Sequence, residues 1–129
     1  MAVIRLSPDA RSPRRARVFT RQLLEDWDVP AELVYDAEIL VTETVTNAVR
    51  HAGTPIGLDV RQGAGGKIVI RVTDESGKLP EMKPSGPRSI GGRGLLIVNK
   101  ISSSWKVDEH ADGKVVEMIL EPLSATVDP

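Results

Sequence analysis

Three short stretches of this sequence hold residue types that do chemistry. In Glu43-Thr44-Val45-Thr46-Asn47-Ala48-Val49-Arg50-His51 a carboxylate, an amide and two potential cations recur at helical intervals. Glu43, Asn47 and His51 are four residues apart, so a helix lays them along one strip, with Arg50 beside it. A carboxylate in such a strip can take a proton from an attacking group. An amide oxygen beside it can hold a hard cation such as Mg²⁺, which prefers oxygen ligands and keeps part of its water. The same spacing also suits an ordinary polar border in which Glu43 pairs with Arg50 or Asn47. His51 is a weaker candidate as a metal ligand, because His110 is the only other histidine and no zinc-type spacing is present.

The second stretch centres on Asp74. It shares parity with Ile68, Ile70 and Val72, so on a strand its carboxylate points to the apolar side of the sheet, where an unpaired charge is costly. A ligand N–H donor is one group that would satisfy it. Asp74-Glu75-Ser76-Gly77 also reads as a type I turn, with Asp first and Gly fourth. The third stretch, Gly91-Gly92-Arg93-Gly94-Leu95-Leu96-Ile97-Val98, runs glycines into a helix start. There backbone N–H groups, the helix dipole and Arg93 favour an anion. It lacks the Gly-Lys-Ser/Thr of a Walker loop and the third glycine of a dinucleotide fingerprint, and a plain hinge has the same composition.

These stretches need elements to hold them. Val3 to Leu6 predicts a short strand. Ser12 then predicts the cap of a helix with Pro13 in its first turn and Ala16, Phe19, Leu23 and Leu24 at helical spacing, ended by Asp28-Val29-Pro30. A second helix is expected from about Ala31 to His51, its apolar arc formed by Leu33, Val34, Ala37, Leu40, Val41, Val45 and Ala48, with Gly53 as its stop. Ile56, Leu58 and Val60 alternate, Gly63-Ala64-Gly65-Gly66 turns, and Ile68, Ile70 and Val72 alternate again, which is a hairpin. Asp74 to Gly94 is a long Pro- and Gly-bearing loop, and loops of that length in small domains are usually functional or mobile. A short helix over Leu95 to Ile101 follows. A second hairpin then turns at Ala111-Asp112-Gly113 between Trp105 and Val107 on one strand and Val116, Met118 and Leu120 on the other. Strands enough for one mixed sheet, with about three helices over one face, predict a single two-layer α/β sandwich across residues 1–129, fraying from about 122.

Composition narrows the function classes. The 129 residues carry 17 Lys and Arg against 18 Asp and Glu, a net charge of −1, with 40% hydrophobic and 27% charged residues. A core that hides roughly two-thirds of the unfolded surface is within reach at this length, and global disorder is not expected. Without cysteine there are no disulfides, thiolate nucleophiles, iron–sulfur clusters or cysteine zinc sites. The start of the chain has no apolar signal segment, and the run Leu95–Val98 is far below the roughly 20 residues that span a bilayer. A soluble, cytoplasmic protein is expected. Arg11, Arg14, Arg15, Arg17 and Arg21 crowd one helix, but without aromatic platforms and with Glu25, Asp26 and Asp28 nearby they read as a solvated face.

Taken together, in this order and on these elements, the three stretches resemble the boxes of the GHKL ATPase superfamily with its Bergerat fold. The closer likeness is to bacterial anti-sigma-factor serine kinases, small relatives of the histidine-kinase catalytic domain. Glu43-Thr-Val-Thr-Asn47-Ala48-Val-Arg50-His51 resembles the N box, Asp74 falls where the adenine-reading acid occurs, and Gly92-Arg93-Gly94-Leu95 resembles the later glycine box. The resemblance covers nearly the whole chain. It implies Glu43 as general base, Asn47 on Mg²⁺ and Asp74 on the adenine amino group of ATP. Gly77, Gly92, Arg93, Gly94 and Leu95 would lie against the nucleotide, with Arg50 and His51 lining the same cleft. It further implies transfer of the γ-phosphoryl group to a serine of a STAS-type anti-sigma antagonist, sequestration of a sigma factor, and pairing into dimers, without direct nucleic-acid or membrane binding. One departure stands out: where the family has glycines this chain has Ser76 and Lys78, with Gly77 displaced between them. A catalytically weak or inactive nucleotide-binding module that switches partners is therefore the alternative function.

Overall fold

The structure is a computed structural model and describes residues 2–76 and 97–122. Its elements run β1 (Ala2–Leu6), α1 (Ser12–Asp26), α2 (Ala31–His51), β2 (Ile56–Gln62), β3 (Ile68–Asp74), β4 (Ser104–His110) and β5 (Gly113–Leu120). Residues 97–101 are also helical and form the described part of the helix expected over Leu95 to Ile101. The glycine turn between β2 and β3 is a single 3₁₀ turn in which Gly65 and Gly66 take φ of 74° and 80°.

The five strands form one sheet in the order β1-β2-β3-β5-β4. The two-layer α/β sandwich predicted from the sequence is the architecture observed, but every described pairing is antiparallel instead of mixed. Connectivity gives the reason. Two helices in series between β1 and β2 bring the chain back in the opposite sense, whereas a single crossover helix would have made the pair parallel. β5 slots between β3 and β4, so those two strands run the same way without sharing hydrogen bonds.

α2 spans the residues its periodicity predicts, and all seven residues of its apolar arc are buried. It packs on β2, β3 and β5 and against α1. Its last turn is followed by Gly53 at φ +65°, the left-handed residue that stops a helix. From the sheet, Leu6, Ile56, Leu58, Val60, Ile68, Ile70, Met118 and Leu120 complete the core at 2% exposure or less. Burying each such side chain stabilises the fold by about 1.5–3 kcal/mol.

The start of α1 differs from expectation. Ser12 does not cap it; Arg11 holds the N-cap position without a side-chain cap bond. The buried Ser12 hydroxyl instead donates to the Ser7 carbonyl, and Asp9 Oδ1 accepts from Arg11 N at 2.9 Å. Those bonds tie the turn after β1 to the helix, a use of small polar side chains that competes with capping. Arg11, Arg14, Arg15 and Arg17 are exposed, as expected for a solvated face, and Arg21 reaches within 3.9 Å of Glu38 on α2.

Among the described residues no helix packs on the opposite sheet face, which carries charge. Register lines up Asp59, Arg71, Glu117 and Lys106 across β2, β3, β5 and β4. Arg71 Nε donates to Glu117 Oε2 at 2.6 Å, and Arg61 bonds Asp59 along its own strand at 3.0 Å. Opposite charges thus alternate across the four strands, where cross-strand pairs of opposite sign support the sheet.

On α2, Asp36 titrates above the ordinary aspartate range, first because burial disfavours its charge and second because Glu32 lies one turn away. A carboxyl whose folded value is raised destabilises the native state once ionised, so its penalty is present at neutral pH and fades as pH falls through the raised value. Asp36→Asn is expected to raise Tm slightly at pH 7 and to have no effect at a pH where both folded and unfolded Asp36 are protonated. A constant difference across pH would contradict this.

Candidate functional site

Asp74 ends β3 on the inner face of the sheet and is 4% exposed, as its parity with Ile68, Ile70 and Val72 predicts. Beside it Oδ1 of Asp74 accepts from Ser76 N at 2.9 Å, while the type I turn expected over Asp74 to Gly77 ends at Gly77, outside the described residues. What balances its charge is Lys114, the second residue of β5. Register sets Lys114 directly opposite Asp74, and its Nζ lies 2.6 Å from Asp74 Oδ2 with both side chains at least nine-tenths buried. Sequence reasoning missed Lys114, although the signal was present: it shares parity with Val116, Met118 and Leu120, the inward-facing residues of β5.

The two strands come unusually close here. Gly113 has φ +154°, and a Cβ built on it would stand 2.0 Å from the Asp74 carbonyl oxygen. A side chain at position 113 would push β5 away and carry Lys114 off its partner.

The helix strip stands at the same end of the sheet. α2 ends at His51, β2 begins at Ile56, and Ile56 pairs with Asp74 in the sheet register. The loop leaving α2 is fastened to the residue after Asp74, since Thr54 Oγ1 accepts from Glu75 N at 2.9 Å. Glu75 is also met by the exposed Arg5 at 2.9 Å, a surface pair that adds little stability. Within α2, Thr42, Thr44 and Thr46 turn their hydroxyls onto the carbonyls of Glu38, Leu40 and Thr42, leaving the neighbouring Glu43 and Asn47 free of them. Glu43 and Asn47 are half-buried at the margin of the apolar arc, whereas Arg50 and His51 are exposed. Among the described residues no ion pair joins Glu43 to Arg50, and no side-chain hydrogen bond joins it to Asn47, so the polar-border pairing is not formed.

The Asn47 amide oxygen and the Glu43 carboxylate are oxygen donors of the type Mg²⁺ takes. Among the described residues no three His, Asp or Glu side chains gather at a distance that would hold a metal. An amide oxygen with one carboxylate nearby is the pattern of an ion that keeps its waters and shares phosphate oxygens. Gly77, Gly92, Arg93, Gly94 and Leu95, the remaining candidate nucleotide contacts, lie outside the described residues, as do Lys78 and most of the expected long loop.

A sequence family described as the histidine kinase-like ATPase domain matches residues 6–120. The chain belongs to that family. Its match runs from the last residue of β1 to the last of β5 and takes in both the α2 strip and Asp74. No curated protein sequence matches this ATPase domain. Solved structures do. The RsbU and RsbW domains of Rv1364c from Mycobacterium tuberculosis superpose with a TM-score of 0.68 at 17% identity, over 94% of this chain and 32% of that one. The SiaB–SiaC complex from Pseudomonas aeruginosa gives a TM-score of 0.69 at 12% identity, over 93% and 89% of the two chains. The Erythrobacter litoralis EL346 blue-light activated histidine kinase gives 0.59 at 26% identity, over 77% of this chain and 33% of that one. The ATPase domain thus spans about a third of the first of these proteins and most of the second. Among its described residues no helix is long and apolar enough to cross a membrane.

Proposed function

We propose that this ATPase domain binds ATP with Mg²⁺ and acts as an anti-sigma regulatory serine kinase, passing the γ-phosphoryl group to a serine of a STAS-type antagonist protein. The observation that carries the reading is the buried carboxylate of Asp74 at the end of the sheet where the Glu43–Asn47 strip of α2 also lies. Family membership supports ATP as the ligand. The fold likeness to an RsbW domain and to a chain of the SiaB–SiaC complex supports the partner class.

In this reading Asp74 accepts a hydrogen bond from the adenine amino group. Asn47 would hold Mg²⁺ through its amide oxygen, and the ion, when bound, would supply charge neutralisation on the phosphates. Arg50 and His51 would border the phosphate end, and the resemblance assigns Gly77, Gly92, Arg93, Gly94 and Leu95 to the nucleotide as well. Glu43 takes the proton of the acceptor serine as its oxygen bonds to the γ-phosphorus and the bond to the leaving ADP oxygen breaks. Positioning and charge neutralisation carry most of such a transfer, and a placed base adds about 10²–10⁴-fold. The chain would work in the cytoplasm, alternately holding a sigma factor and the antagonist, as a homodimer.

Glu43→Ala is therefore expected to lower phosphoryl transfer at least about 100-fold while leaving ATP affinity within a few-fold, read by labelled-phosphate transfer and by calorimetry. Undiminished transfer would remove Glu43 from the base role. The partner-switching module without catalysis remains the second reading, favoured by Ser76, whose N–H is bonded to Asp74 where the family has glycine. Partner capture by the wild-type chain with no phosphate transferred would select it.

A further inference from the structure

Lys114 is a buried cation with capacity to spare. Its ammonium has three N–H donors, and among the described residues Asp74 is its only partner, at 2.6 Å with 9% of the side chain exposed. Asp74 likewise has lone pairs left after Lys114 takes one oxygen and Ser76 N the other. Buried charged groups are normally bonded to capacity, so a pair left short at one point of the inner face is suited to a ligand edge that offers a donor beside an acceptor.

Resting on the adenine-nucleotide reading above, we propose that Lys114 is a second base-reading residue: it donates to the ring nitrogen N1 of adenine while Asp74 accepts from the neighbouring 6-amino group. The six-membered edge of adenine carries that donor and that acceptor on adjacent atoms, matching a carboxylate and an ammonium already in contact. Guanine turns the pattern round, with an acceptor at the 6-position and a donor at N1. To satisfy both protein groups it would have to slide along the pair. Gly113 is part of the same device, because its lack of a side chain lets β5 come close enough for Lys114 to reach Asp74.

The test needs no variant to begin with. Wild-type chain is titrated with Mg²⁺ and ATP, GTP or 1-deaza-ATP, in which a C–H replaces N1 and only the acceptor is lost. The expected result is about 10- to 100-fold weaker binding of 1-deaza-ATP than of ATP, the size of one hydrogen bond from a charged donor, with GTP also weaker than ATP. Lys114→Met, checked for folding by circular dichroism, is expected to bind ATP and 1-deaza-ATP within about 2-fold of each other, and Lys114→Arg to keep the discrimination. Equal wild-type affinity for ATP and 1-deaza-ATP, or tighter GTP than ATP, would overturn the role of Lys114 while leaving nucleotide binding intact. No binding of any of the three would instead overturn the adenine-nucleotide reading itself.

Discussion

A Gly113→Ala chain is expected to unfold at a much lower temperature than the wild type. The added methyl group meets the Asp74 carbonyl oxygen at 2.0 Å and the Glu75 Cα at 3.0 Å, backbone atoms that cannot swing aside. Overpacking of this kind costs about 1–3 kcal/mol. Holding a non-glycine residue at φ +154° adds about 1–3 kcal/mol more. For a domain of this size the two together correspond to a Tm lower by roughly 10 °C or more. Gly53→Ala is the control: its φ is +65°, but nothing lies within 4 Å of the new Cβ. It carries only the left-handed conformational cost, about 1–2 kcal/mol. Thermal melts in which the two variants fall equally would contradict a close approach of β5 to β3.

The second large effect is expected from Asp74. Removing its charge leaves the Lys114 ammonium buried without a counterion, and breaking a buried pair from one side costs about 3–5 kcal/mol. Asp74→Asn should therefore be markedly less stable, and it should lose at least about 100-fold in nucleotide affinity, because the base exchanges a charged acceptor for a weaker neutral one and meets an unpaired cation. The double variant Asp74→Asn/Lys114→Met separates the two losses. It is expected to recover most of the stability, since replacing both members of a buried pair is far milder than removing one, while nucleotide binding stays lost. Denaturant melts and calorimetry on the three chains decide this. Recovery of binding along with stability would mean that Asp74 acts only through the fold.

Much of this arrangement is legible in the amino-acid sequence. α2 follows its 3.6-residue apolar period from Ala31 to His51 because all seven arc residues go into one core, so no tertiary demand competes with the local pattern. Both hairpins follow their two-residue alternation for the same reason, and Asp74 points inward because its parity with Val72 leaves it no other face. The end of α1 that failed to read correctly is where two side-chain bonds were available to one residue: Ser12 is well placed to cap, but a buried bond to the Ser7 carbonyl takes its hydroxyl. Strand direction escaped because it depends on where β5 inserts, a long-range pairing that no local period encodes. Lys114 escaped for a subtler reason. A lysine beside a turn reads as solvated, and only the pairing of β5 with β3 turns its inward parity into a contact with Asp74. On α2 the spacing of Glu43 and Asn47 predicts a shared strip and the structure has both half-buried there, while the glycine box around Gly92 to Leu95 lies beyond the described residues.

The most direct measurement is calorimetric titration of the wild-type chain and Asp74→Asn with ATP and ADP, each with and without Mg²⁺. Saturable adenine-nucleotide binding that tightens with Mg²⁺ in the wild type and vanishes in Asp74→Asn is the predicted result. Binding that survives the Asp74 change undiminished, or a folded wild-type chain that takes up no nucleotide, would contradict it.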